Sequence, residues 1–311
     1  MDYVFSVRNV TGGAFGTRVG ASSWLEVPGT ARVPTPEHRI ARAAWLDRVQ
    51  KAPGGAETAG DLVVYVHGYN TGQERMLERL RKLRDGLAPH GFAGRVVAFD
   101  WPSADVALSY LPDRRDARAA STRLVDELIS VFAARQRPDC PLNVHLLVHS
   151  MGAFVLREAF DDADDRPAVA GHSWSVSQVM LVAADVSSVS LGLGNAKSSS
   201  LYRHCVRLTN YFNPLDEVLS LSNVKRIGVA PRAGRVGLPA ARPDKAVDVY
   251  CGSYYRDHQA RLGAGGAASH AWYFDDPRFM EDVALTVAGA LDRAEFPTRA
   301  PTDRGNLGLR S

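Results

Sequence analysis

Four short, mainly apolar runs constrain this chain most: Leu62–Val66 (LVVYV), Arg95–Phe99 (RVVAF), Asn143–Val148 (NVHLLV) and Val179–Ala184 (VMLVAA). A strand with one wet face alternates apolar and polar residues. A continuous run bounded by turn residues fits a strand covered on both faces. Between these runs the period changes. Met76, Leu77, Leu80, Leu83 and Leu87 recur at helical spacing, as do Ala119, Leu124, Leu128, Val131 and Phe132 within 113–136, and a helix is expected over 151–160. Cys205–Tyr211 and Ala246–Tyr250 read as two further strands. Strands alternating with helices predict an α/β fold, a mostly parallel twisted sheet with helices on both faces.

The flanks are less regular. Tyr3–Val10 and Trp24–Val27 read as strands, with Gly12, Gly13, Gly16 and Gly20 marking turns between them. The stretch 51–60 reads as an exposed loop and 226–245 as a long irregular connection. The expected organisation is an N-terminal strand and loop region, 1–60, packed on a core domain, 61–295, followed by a flexible tail, 296–311. No internal repeat is visible.

Composition excludes several classes. With 37 basic and 34 acidic residues among 311, the net charge of +3 is too balanced to imply nucleic-acid binding. Cys140, Cys205 and Cys251 show no metal-ligand spacing and fit free thiols in a reducing compartment. The N-terminus lacks the basic and apolar regions of a signal peptide, and no apolar run approaches the ~18 residues of a membrane span. A cytoplasmic location is expected. His145 and His149 fall on one buried strand face, where a satisfied core histidine is the ordinary reading, so no metal site is expected. No Gly-rich phosphate motif follows the first strand, so no cofactor is expected.

The motif that carries chemistry is LLVHSMG, Leu146–Gly152. A buried strand runs straight into Ser150, and a helix follows at once. This is the context of a nucleophile elbow, whose turn exposes the serine hydroxyl and aims the next N–H, that of Met151, at a developing oxyanion. Val148 stands where the first Gly of G-x-S-x-G is expected, and a serine ahead of a helix is also an ordinary N-cap. A companion motif, His67-Gly68-Tyr69-Asn70, closes the strand Leu62–Val66. An HG turn at that place supplies the second oxyanion donor in α/β-hydrolases, and the Tyr69 N–H is the candidate. His67, Gly68, Asn70 and Trp101, at the strand ends, are candidate pocket residues.

Chain order in such a site runs nucleophile, acid, base. His270 lies beyond the last expected strand and before the final helix, with His258 as the alternative. Asp216 follows the strand 205–211, and Asp185, ending the strand before it, is the alternative acid. Asp216 also reads as an N-cap for a short helix.

These blocks, with VVAFDWPS at 96–103, NPLDEVLSLS at 213–222 and SHAWYF at 269–274, resemble in order and spacing a largely bacterial α/β-hydrolase family long catalogued as an uncharacterised domain. Its blocks are HGYN or HGFN, WPS, AHSMG and a late GHSYF-like element. The resemblance spans about residues 60–295. It implies the α/β-hydrolase fold and a triad similar to that of serine esterases and lipases, with Ser150 as nucleophile, Asp216 as acid and His270 as base. The expected activity is hydrolysis of a small-molecule carboxylic ester through an acyl-enzyme. Acyl transfer by the same residues and a catalytically silent binding module are the alternatives. The stretch after Asp185 is too short for a lid domain and leaves room only for a flap.

Overall fold

The computed structural model describes residues 1–51, 60–103, 110–135, 142–170, 173–224 and 230–311. Cys140, His172, nearly all of the loop read at 51–60 and the start of the connection read at 226–245 lie outside them.

The described residues form one ten-stranded sheet. Its strands are β1 (Asp2–Thr11), β2 (Ala14–Val27), β3 (Leu62–Val66), β4 (Arg95–Asp100), β5 (Val144–His149), β6 (Val176–Val182), β7 (Cys205–Phe212), β8 (Ala246–Tyr250), β9 (Arg299–Pro301) and β10 (Leu307–Leu309). They lie in the order β2-β1-β4-β3-β5-β6-β7-β8-β10-β9. Every pairing from β1 to β10 is parallel, and only the outermost strands, β2 and β9, run antiparallel to their neighbours.

The continuous apolar runs are explained by two cores, one on each face. Leu62, Val64 and Val66 pack into one, while Val63 and Tyr65 pack into the other. The first core is covered by the helices Arg42–Gln50 and Gly152–Phe160. The second is covered by Gln73–Leu87 and Pro277–Ala288, which supply Leu80, Leu83, Phe279 and Val283. Among the described residues no helix is long and apolar enough to cross a membrane.

One feature of the order positions the site. From β3 the chain moves to β4 on one side, then returns to β5 on the other side of β3. The crevice at the carboxyl ends of two strands whose connections diverge in this way is where α/β sheets gather ligands. Val66 is in register with Val148, so the turn after β3 lies beside the turn after β5.

Three expectations are corrected. Gly16 and Gly20 are not turn residues, because β2 starts at Ala14 and contains both. A Cβ on Gly20 would stand 2.4 Å from Asn9 Cα, and the β1–β2 register shifts around Arg8. The glycines admit a partner backbone at bulges. The 296–311 segment is not a free tail. Phe296 and Thr298 are buried, β9 and β10 extend the sheet beyond β8, and Arg299 grips the buried Asp282 through two hydrogen bonds of 2.7 and 2.8 Å. The stretch after Asp185 is no flap either. It carries the helix Ala196–Arg203, whose Leu201 and Tyr202 are buried, with the Tyr202 hydroxyl donating to Leu191 O at 2.7 Å.

Candidate active site

Ser150 is the first residue beyond β5 and has φ of 56°. This left-handed conformation is unfavourable for a residue with a Cβ and is held by its neighbours. Its N–H donates to Val182 O and its carbonyl accepts from Asp185 N, each at 3.0 Å. Room for the turn comes from two glycines. A Cβ on Gly152 would stand 2.5 Å from Val66 O, and one on Gly68 would stand 2.7 Å from Ser150 Cβ. Val148, at the place of the first Gly of G-x-S-x-G, is fully buried in the first core and paired with β3 and β6. The close approach is therefore made across the sheet, at Gly68.

Met151 is buried and leads into the helix Gly152–Phe160, so its N–H belongs to the unpaired first turn of that helix, where anions are favoured. Tyr69 follows Gly68 and is half-buried. Asn70 completes this turn with φ of 51°, a conformation Asn tolerates better than most residues.

The structure brings Asp216, not Asp185, to His270. Asp216 Oδ2 lies 2.7 Å from His270 Nδ1, with the aspartate fully buried and the histidine 8% exposed. The carboxylate accepts only, so Nδ1 carries the hydrogen, and Nε2 of the neutral ring has the lone pair. Asp216 Oδ1 accepts from Leu219 N at 2.9 Å, so the helix-cap reading of this residue holds as well. Ser269 Oγ accepts from Glu217 N at 3.0 Å, Asn213 Nδ2 donates to Ser269 O at 3.3 Å, and Glu217 Oε2 accepts from Gly266 N at 2.6 Å. These bonds bind the two segments into one unit. Asp185 pairs with the buried Arg232 at 3.0 Å. His258 stacks on Tyr254, and its Nδ1 donates to Tyr254 O at 2.8 Å.

His149, read from sequence only as a core residue, touches the site. Its Nε2 donates to the backbone carbonyl of His270 at 3.0 Å, and the two rings lie 4.7 Å apart. Burial, then the neighbouring His270, pushes its pKa well below the ordinary histidine value, so it is uncharged beside the candidate base.

His67 and Trp101 do not line a pocket. Both are fully buried and stack on each other, with centroids 5.3 Å apart and planes within 6°. Trp101 Nε1 donates to His67 O at 2.9 Å. Beneath them lies Asp100, contacted by Ser6 Oγ at 2.9 Å, Arg8 Nε at 2.7 Å and Gln73 Nε2 at 2.8 Å. Burial alone would raise its carboxyl pKa, but Arg8 and His67 outweigh that and hold it far below the usual range. Sequence reading missed Arg8 and Asp100. Their pairing spans 92 positions and leaves no local signal.

The two described cysteines are buried thiols, and burial pushes Cys205 up to about 11 and Cys251 well above its ordinary value. Neither is a competing nucleophile at neutral pH. Among the described residues no group of three or more His, Cys, Asp or Glu is placed to hold a metal ion.

Residues 44–245 match a protein family described as "Alpha/beta hydrolase of unknown function (DUF900)". No curated protein matches. Several solved structures are similar at low identity. A cutinase-like protein from Cryptococcus sp. shares 11% identity, with 75% of this chain and 95% of that one covered and a TM-score of 0.35. Lipase B of Aspergillus fumigatus shares 14%, covering 90% of this chain and 62% of that one, with a TM-score of 0.41. A carboxylesterase of Bacillus subtilis shares 12%, covering 77% and 87%, with a TM-score of 0.36. Similarities of this size say nothing about what this chain does.

Proposed function

The chain belongs to the family of alpha/beta hydrolases of unknown function, and from that premise we propose that it hydrolyses carboxylic esters of small molecules through an acyl-enzyme on Ser150. The observation that carries this reading is the 2.7 Å contact of Asp216 and His270, at the same sheet edge as a serine held at positive φ.

The roles are those of the serine triad, supported by the Asp216–His270 contact. Ser150 Oγ attacks the ester carbonyl carbon, and its proton passes to His270 Nε2. The oxyanion is received by the N–H groups of Tyr69 and Met151, each worth ~3 kcal/mol in the transition state. As the tetrahedral intermediate collapses, the proton on Nε2 goes to the departing alcohol. Water, deprotonated by the same nitrogen, then releases the acid. Asp216 keeps the hydrogen on Nδ1 and stabilises the imidazolium. His149, uncharged, adds no repulsion to it.

The test is labelling by a fluorophosphonate probe, wild type against Ser150→Ala, beside a panel of esters of increasing acyl length. Labelling and turnover that disappear together in the variant are expected. Folded wild type that takes no probe and cleaves no ester sinks the proposal and favours a binding module. Esters formed when alcohols are added would instead favour acyl transfer.

A further inference from the structure

Gly68 solves one problem at the elbow and creates another. A side chain there has no room, since its Cβ would stand 2.7 Å from Ser150 Cβ and 3.0 Å from His149 O. A glycine, however, leaves its adjoining peptides free to rotate. The Gly68–Tyr69 peptide is trans, so its carbonyl and its N–H point in opposite directions. If this unit turned over, it would offer an oxyanion a carbonyl oxygen in place of a donor.

His67 holds the other end of that unit. Its Nδ1 lies 2.9 Å from Gly68 O, and because a carbonyl only accepts, Nδ1–H is the donor. The ring cannot swing away. Trp101 covers its face, Asp100 Oδ1 stands 3.4 Å from Nε2, and Asp100 is anchored by Ser6 and Arg8 of β1 and by Gln73. We infer that His67 is a positioning residue that sets the direction of the Tyr69 N–H by gripping the Gly68 carbonyl, with Asp100, Arg8 and Trp101 as its fixed backing. The inference deepens the proposed hydrolysis and rests on it for the purpose of that N–H, but not for the grip itself. It also gives the WPS block and the N-terminal strand a common task, which is to hold an oxyanion donor that neither of them contains.

Two amide substitutions of similar bulk separate this role from simple packing. In His67→Asn the side-chain nitrogen falls where Nδ1 stands and still reaches Gly68 O. In His67→Gln it falls near Nε2, facing Asp100, and the grip is lost. On an ester that wild type cleaves, His67→Gln is expected to lose roughly 10²–10³-fold in kcat with KM nearly unchanged, the usual cost of one oxyanion donor. His67→Asn is expected to stay within about tenfold of wild type. Crystals of His67→Gln should show the Gly68 carbonyl rotated, and those of His67→Asn should show it in place. Equal kcat losses in both variants with an unmoved carbonyl overturn the inference, as does full activity in His67→Gln. If His67→Gln does not fold, Asp100→Asn with wild-type activity and an unmoved His67 overturns the backing, while a kcat loss at constant KM supports it. Wild type that takes no fluorophosphonate defeats the hydrolase reading alone. The carbonyl direction in the two crystals then decides this inference by itself.

Discussion

Asp216 holds His270 with one carboxylate oxygen, at 2.7 Å, and starts a helix with the other, at 2.9 Å from Leu219 N. The two tasks fix each other. The cap prevents the carboxylate from rotating, so the oxygen facing His270 keeps its place.

Separating the two tasks gives the first prediction. Asn is as good an N-cap as Asp but does not enforce the imidazole tautomer. Asp216→Asn should therefore lose about 10⁴-fold in kcat with little change in Tm. Asp216→Ala should add about 1 kcal/mol of destabilisation. Asp185→Asn, which breaks the pair with Arg232, should cost stability and far less turnover. Steady-state kinetics and thermal melts of the three variants check the assignment, and a larger kcat loss at Asp185 would reverse it.

The depressed pKa of His149 makes stability depend on pH. Below about pH 6.5 the unfolded chain takes a proton that the folded site refuses, so the unfolded state gains. Stability should be at its full value above that pH and fall as the pH drops toward the folded-state value, by up to about 1.4 kcal/mol per unit from this group. His149→Gln keeps a donor for His270 O and cannot titrate. Urea midpoints at pH 7.5 and 5.5 should differ more in wild type than in His149→Gln, and equal differences would assign the effect elsewhere.

The two elbow glycines should fail differently. A Cβ at Gly152 meets backbone, Val66 O at 2.5 Å and His67 O at 2.9 Å, so Gly152→Ala should open the sheet and yield little folded protein. A Cβ at Gly68 meets Ser150 Cβ at 2.7 Å and His149 O at 3.0 Å, so it presses on the elbow itself. Gly68→Ala should lose some stability, still fold, and lose probe labelling. A labelled Gly68→Ala variant would show that the elbow has room to spare.

Arg299 and Asp282 are both fully buried, and Tyr211, Thr286 and Thr298 complete their network. Arg299→Met leaves a buried carboxylate uncompensated and should cost about 3–5 kcal/mol in urea unfolding. Adding Asp282→Asn should restore part of it. A loss under 1 kcal/mol would mean that water reaches Asp282.

Much of this architecture is legible from the residues alone. LVVYV became β3 and AVDVY became β8 with the expected bounds; burial on both faces gives β3 its unbroken apolar signature, while β8 carries a buried Asp248 bonded to Asn210. Ser150 directly follows a readable strand and Asp216 comes shortly after another, while His270, in the helix Gly266–Ala271 beyond β8, is reached from sequence only by its place in chain order, and the structure sets it 2.7 Å from Asp216. What escaped has a common cause. Gly16 and Gly20 answer to Asn9 on a neighbouring strand, Arg299 answers to Asp282, and His67 answers to Trp101 and Asp100. A partner distant in sequence leaves no period or spacing at either residue. The same blindness made Trp101 look like a pocket wall when it is packing.

The bonds joining 213–217 to 266–270 have a consequence for how room is made around a bulky substrate. On the proposed mechanism the base and its acid sit together on one stitched block, and the nucleophile lies outside it, at the end of β5. Any shift of that block away from Ser150 widens the gap between nucleophile and base while the Asp216–His270 distance survives. Such a shift would have to break the bond by which His149 reaches the His270 carbonyl.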